Sequence, residues 1–171
     1  MAKGLLDKLF EAREEKKRKR PSQGTIDMMN GGWETIQSKI IHNYEPIHNC
    51  IFCQKYNNKN IIIGETKNFY LILDEYPVTE GHTLIISKLH RENYSDLTSD
   101  EKSDLTKAID LSEIYIKSKY DIIEFNVGFN TGVAAGQSIM HFHCHVIPRR
   151  EGDVEEPKGG VRGVIQNKQK Y

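Results

Sequence analysis

Residues 141–145 read His-Phe-His-Cys-His, inside the longer stretch Met-His-Phe-His-Cys-His-Val-Ile-Pro. Side chains of a β-strand alternate between two faces, so His141, His143 and His145 share one of them. Met140, Phe142, Cys144 and Val146 take the other, and their apolar character marks it as the side that packs on a core. A strand serving structure alone would carry Thr, Lys or Glu on its wet face, because adjacent imidazoles repel one another once protonated. The pattern predicts a strand that is core on one side and chemistry on the other.

The rest of the chain supplies a sheet for that strand. Strand-like runs at 61–65 and 69–73 flank Thr66-Lys-Asn68 and predict a hairpin. A Pro- and Gly-containing turn from Asp74 to Gly81 leads to a third strand over 82–88. Thr98-Ser-Asp-Glu101 is a capping box, opening a helix to about 119 whose Leu105, Ala108, Ile109, Ser112 and Ile116 share one face. Ile123, Phe125, Val127 and Phe129 alternate in a fourth strand, and a Gly-rich loop over 130–137 precedes the histidine strand. The expectation is an α+β fold: a largely antiparallel sheet of about five strands with one long helix on one face. Residues 1–48 read as a separate extension, partly helical or disordered. Leu5, Leu6, Leu9 and Phe10 precede a highly charged run, and Pro21, Gly24 and Gly31-Gly32 break up the segment after it. The compact domain is expected over 49–171.

Composition narrows the function classes. Twenty-four basic residues balance twenty-four acidic ones among 171, so a polyanion-coating role is not expected and nucleic acid is not the expected partner. No apolar run approaches the roughly 20 residues that span a bilayer, and the N-terminus lacks the order of a signal peptide. A cytoplasmic protein that avoids membranes is expected. Cys50, Cys53 and Cys144 are an odd count with one on a core-facing position, which predicts reduced thiols.

The segment Gly136-Gln-Ser-Ile-Met-His-Phe-His-Cys-His-Val-Ile147 resembles the signature of the histidine triad (HIT) family, three histidines alternating with apolar residues. The resemblance extends upstream through Asp74, Gly81-His82-Thr83 and Ser87-Lys-Leu-His90, covering roughly 48–165. It implies the HIT fold, a homodimer joining two sheets, and a nucleotide hydrolase or transferase with a covalent nucleotidyl intermediate on the middle histidine, His143. It also implies that Gln137 and Ser138 contact the bridging oxygen, that Asn130 borders the phosphate site, and that Asp74 binds the ribose hydroxyls. The residues support the nucleophile on their own account. A neutral imidazole, with an unperturbed pKa near 6.5, is a competent nucleophile at neutral pH without a separate base. His145, one strand repeat or about 6.6 Å away, is placed to contact a nonbridging phosphoryl oxygen. Gln137 and Ser138 are polar candidates for the same task or for hydrogen bonds within the loop. Phe52 or the apolar groups of 69–73 face the base or belong to the core, and base identity stays open.

Cys50-Ile-Phe-Cys53 has metal-ligand spacing, although a lone pair of this kind also suits redox chemistry. One branch of the HIT family, which the chain resembles, adds two histidines to such a pair. By that resemblance Cys50, Cys53, His90 and His141 hold a structural zinc ion. A row of histidines is also compatible with a metal site that has no catalytic role. The segment with Arg149, Arg150 and Arg162 resembles tails of bacterial members that act on diadenosine polyphosphates, and either polyphosphate contact or subunit packing suits it. The expected substrate is a nucleotide or a dinucleoside polyphosphate such as diadenosine tetraphosphate. The rivals are a phosphorylase, a phosphoramidase, or a non-catalytic nucleotide- or RNA-associated binding module.

Overall fold

The computed structural model describes residues 49–169, and the extension expected over 1–48 lies outside the described residues. Five strands form one antiparallel sheet: β1 (Ile62–Glu65), β2 (Phe69–Leu73), β3 (Thr83–Ser87), β4 (Glu124–Gly128) and β5 (His143–Arg149). Their spatial order is β1-β2-β3-β5-β4. The hairpin forms where the sequence places it. A bulge between Ile62 and Gly64 shifts the register of β1 against β2, and the Asp104 carboxylate pins the turn by accepting from Thr66 Oγ1 at 2.8 Å and the Asn68 N–H at 2.7 Å.

Two helices cover the two faces. The long one, α2 (Ser99–Tyr120), follows α1 (Ile51–Tyr56) in the chain. Thr98 Oγ1 accepts from the Glu101 N–H at 3.1 Å, and the Glu101 carboxylate accepts from the Thr98 N–H at 2.7 Å, so the capping box is complete. The same carboxylate takes the buried Arg91 guanidinium at 3.1 Å, tying the loop after β3 to the start of α2. Leu105, Ala108 and Ile116 of α2 pack on Phe69, Leu71, Ile85, Phe142, Cys144 and Val146. The opposite face carries Tyr70, Ile72, Leu84 and Ile86, closed by Phe52, Cys50 and Cys53 at α1. The sequence predicts a helix on one face only; six residues beginning beside a cysteine carry too little periodicity to announce α1.

Register places the chemistry. Cys144 stands opposite Ile85 and Val146 opposite Thr83, while His143 stands opposite Ile86 and His145 opposite Leu84. The two faces of the histidine strand therefore divide as expected from His143 onward. Upstream the expectation needs correcting. The ladder begins at His143, and the His141 N–H instead donates to the Ile139 carbonyl at 2.8 Å. Without strand pairing Met140 turns outward and is 39% exposed, not core. The face expected to be wet is also covered: His141 is fully buried and His143 is 5% exposed, beneath Phe52.

Candidate active site and metal centre

Carbonyl partners fix the proton on two of the three histidines. A carbonyl oxygen only accepts, so His141 must carry its proton on Nε2, which donates to the Ser87 carbonyl at 2.7 Å. His143 must carry its proton on Nδ1, which donates to the His141 carbonyl at 2.8 Å. Each neutral ring then has one committed lone pair: Nδ1 of His141 and Nε2 of His143.

The His141 lone pair meets sulfur. Nδ1 lies 3.3 Å from Cys50 Sγ and 3.5 Å from Cys53 Sγ, and Cys53 Sγ lies 3.5 Å from His90 Nδ1. All four donor atoms lie within 4.8 Å of one another in buried surroundings. A tetrahedral ion with the usual zinc–sulfur and zinc–nitrogen bonds puts sulfur and nitrogen about 3.6 Å apart, so the spacing fits. Burial holds His141 near a pKa of about 4 and also lowers that of His90, keeping both imidazoles in the neutral form a ligand needs. The Ser87 carbonyl behind His141 is the outer partner that orients such a ligand. Cys50, Cys53, His90 and His141 are brought together as the sequence proposed, and they could bind a metal ion. Cys144 is apart from them, its thiol pushed up to about 12 by burial in the core.

A second cluster lies on the other side of His143. His145 Nδ1 is 3.0 Å from His82 Nε2, and His82 Nδ1 is 3.3 Å from Asp74 Oδ2. His82 and His145 are hydrogen-bonded and the Asp74 carboxylate lies within ion-pair distance of His82, which accounts for their closeness as a potential ligand group. The Val78 N–H also approaches His82 Nδ1, at 3.4 Å. The carboxylate is the nearer and the charged neighbour, so it sets the proton on Nδ1. His82 Nε2 then accepts from His145, leaving the His145 Nε2 lone pair uncommitted. Burial, with the neighbouring His143 and His82, brings His145 down to about 4; burial also lowers His82, against the pull of Asp74. A neutral His145 of this tautomer is a proton acceptor. The sequence had it touching a nonbridging oxygen, and it becomes a donor there only after taking up a proton. His82 was absent from the expected site. Its signal was a histidine after Gly81, whose φ of +86° makes the turn into β3.

A cleft of about 360 Å³ joins these groups, lined among others by Phe52, Asp74, Ser138, His143 and His145. Ile51, Ile72 and Leu84 make it apolar at one end, and Lys55 and Glu75, paired with each other, stand beside it. Asp74 keeps its position by accepting from the Tyr76 N–H at 2.9 Å. Ser138 opens on the cleft, but Gln137 does not. Gln137 is 3% exposed; its Oε1 accepts from the Gly132 N–H at 2.7 Å, and its Nε2 donates to the carbonyls of Glu92 at 2.7 Å and Ile139 at 3.1 Å. Gln137 thus braces the loop from within, as one of the two roles the sequence allows it. Asn130 donates to the Gly136 carbonyl at 3.4 Å and lines a second cleft that also includes His145. Arg149 is held by Asp153 at 2.7 Å and by Asn126, and Arg150 by Glu80. Both arginines line a separate depression, away from His143.

Comparison with known proteins places these features. The HIT domain model matches residues 55–152. A HIT-like protein of Mycoplasma pneumoniae is 37% identical over 110 residues, which are 61% of this chain and 74% of that one. The bis(5'-adenosyl)-triphosphatase of Saccharomyces cerevisiae is 34% identical over 100 residues, covering 58% of this chain and 48% of the yeast protein. A crystal structure of a Zn-bound histidine triad family protein from Mycobacterium smegmatis shares 33% identity with a TM-score of 0.56, covering 61% of this chain and 78% of that one.

Proposed function

Since the chain belongs to the HIT family, by a domain match that spans more than half of it, we propose that it is a nucleotide hydrolase that works through a covalent nucleotidyl-His143 intermediate. The observation that carries this reading is the His141 carbonyl, which holds the His143 proton on Nδ1 and leaves the Nε2 lone pair beside the cleft. That lone pair forms an N–P bond to the α-phosphorus. The P–O bond to the leaving group breaks, and its electron pair departs with the oxygen. Water then attacks the same phosphorus and yields its proton to His145 Nε2, while the N–P bond returns its pair to His143. The product is a nucleoside monophosphate.

The remaining residues bind and orient. Ser138 meets the departing oxygen, and Gln137 keeps Ser138 in place by bracing the loop. Asp74, at the end of β2, accepts hydrogen bonds from the ribose hydroxyls with the lone pairs that Tyr76 and His82 leave it. The apolar side of the cleft, with Phe52 and Ile72, takes the base. Zinc suits the Cys50, Cys53, His90 and His141 donor set best, because two thiolates with two imidazoles match its preference. Its contribution there is structural: when bound, it fixes the backbone around His141. We take the substrate to be a dinucleoside polyphosphate such as diadenosine tetraphosphate, with support from the triphosphatase likeness of the yeast relative.

The chain is further proposed to dimerise through β4, which among the described residues is a sheet edge paired with β5 alone, and to work in the reducing cytoplasm, where its free thiols persist. Among the described residues no helix is long and apolar enough to cross a membrane. His143→Ala tests the function: hydrolysis of a dinucleoside polyphosphate should fall at least a thousandfold. A rate within tenfold of the parent would remove His143 as nucleophile. Carrying out the reaction in inorganic phosphate separates a phosphorylase, which would release a nucleoside diphosphate.

A further inference from the structure

Lys55 and Glu75 line the nucleotide cleft but have no part in the chemistry of His143. Lys55 follows Ile51 by one helical turn on α1, so the two share a face of that helix, and both border the cleft. Glu75 comes directly after Asp74, the residue proposed for the ribose hydroxyls. The ammonium and the carboxylate pair with each other and so join α1 to the segment after β2.

Folding stability does not account for this pair. The Glu75 side chain is 62% exposed, and an ion pair open to solvent adds little, because water competes for both charges. Its consequence falls on whatever enters the cleft. Ile51, Phe52, Ile72 and Leu84 give the cleft of about 360 Å³ its apolar surface, on which a planar base can lie. A base lying there comes against the two charges and displaces their water. A charged group that loses water without gaining a hydrogen bond weakens binding, so the pair penalises every base whose edge does not answer it.

An ammonium only donates and a carboxylate only accepts, so the cleft presents a donor and a two-oxygen acceptor side by side. The pairing edge of guanine matches both. Its O6 accepts from an ammonium, and its N1–H and N2–H donate together to one carboxylate. Adenine offers a single donor group there, beside an N1 lone pair that repels a carboxylate, and cytosine and uracil also offer one donor group each.

We propose that Lys55 and Glu75 determine base specificity in the nucleotide cleft and select guanine. This rests on the nucleotidyl-transfer reading above and adds to it the identity of the preferred base. Adenine compounds remain substrates, at a lower kcat/KM.

Diguanosine and diadenosine triphosphate test this, since they differ only in the base. The parent should show kcat/KM about tenfold or more higher for the diguanosine compound. Calorimetric binding gives a second readout: affinity should fall from GMP to IMP to AMP, because inosine keeps O6 and N1–H but lacks the N2 amino group. Glu75→Gln, at an exposed position, meets the two donors with an amide and should bring the two triphosphates within about threefold of each other. Lys55→Met keeps the apolar stem, removes the donor to O6, and should move the ratio the same way. Equal kcat/KM in the parent, a preference for adenine, or an unchanged ratio in Glu75→Gln overturns selection by the pair and leaves the hydrolase reading standing. Turnover of neither compound by the parent overturns both.

Discussion

The two clusters that flank His143 are held by opposite means. On one side Cys50, Cys53, His90 and His141 are buried, and the His141 proton is locked by a main-chain carbonyl. On the other, His82 and His145 share a side-chain hydrogen bond of 3.0 Å, Asp74 lies 3.3 Å from His82, and both Asp74 and His145 border open clefts. The first arrangement is closed to solvent, which suits a fixed ligand. The second is open to the clefts, which suits proton transfer. His143 touches both, through the His141 carbonyl and through the His145 ring at 5.2 Å between centroids.

Breaking the buried cluster should have the largest effect on folding. The paired change Cys50→Ser and Cys53→Ser should abolish metal binding and lower stability by about 3 kcal/mol or more, shifting the thermal midpoint down by roughly 10 °C. Metal analysis with calorimetry checks it. A full complement of zinc in the variant would show that the thiols are not ligands.

Breaking the open cluster should instead affect turnover. His145→Ala should cut kcat about a hundredfold, the usual scale for losing a proton-transfer group, with little change in the thermal midpoint. His82→Phe keeps the volume and removes the bond to His145. It should cost about tenfold in kcat with KM nearly constant, because His82 acts through His145. His82→Gln, which can still accept a hydrogen bond from His145, should recover part of the loss. The proposed ribose contact adds a separate effect at Asp74. Asp74→Ala should lower kcat/KM about tenfold more for a ribonucleotide substrate than for its 2′,3′-dideoxy analogue, since a hydrogen bond to a charged acceptor is worth about 1.5–3 kcal/mol. The loss common to both substrates should match that of His82→Phe, since each change unties the same chain.

The smallest effect is on stability against pH. His145 has a pKa near 4 in the folded chain, below the unperturbed 6.5 of a histidine, so between these values the unfolded state binds more protons. Stability contributed by this group is complete above pH 6.5, falls as the pH drops toward 4, and is constant below that. The expected change is on the order of 1 kcal/mol after solvent screening. Denaturant unfolding at pH 7 and pH 5 should show a smaller difference in His145→Gln than in the parent.

Much of this site was legible along the chain because strand alternation is a local property. The sides taken by His143, Cys144, His145 and Val146 follow from a period of two, and the Thr98–Glu101 cap from four consecutive residues. His82 was not legible as a site residue. Its partnership with His145 exists only because β3 and β5 pair in a register that sets Leu84 opposite His145. The loop contacts of Gln137 were not legible either, since the Glu92 carbonyl it braces is 45 residues away. Arg149, the last residue of β5, and Arg150 look ready for phosphate in sequence, and in the fold Asp153 and Glu80 pair with them.

The central claim is that the His141 carbonyl makes His143 the nucleophile, and it is tested most directly by catching the intermediate. Protein mixed with diadenosine triphosphate, quenched rapidly in alkali to preserve a P–N bond, and digested for mass spectrometry should carry one adenylyl group on the peptide containing His143. The adduct should be absent from His143→Ala. Turnover without that adduct, or an adduct that forms on another residue and persists in His143→Ala, would contradict the account.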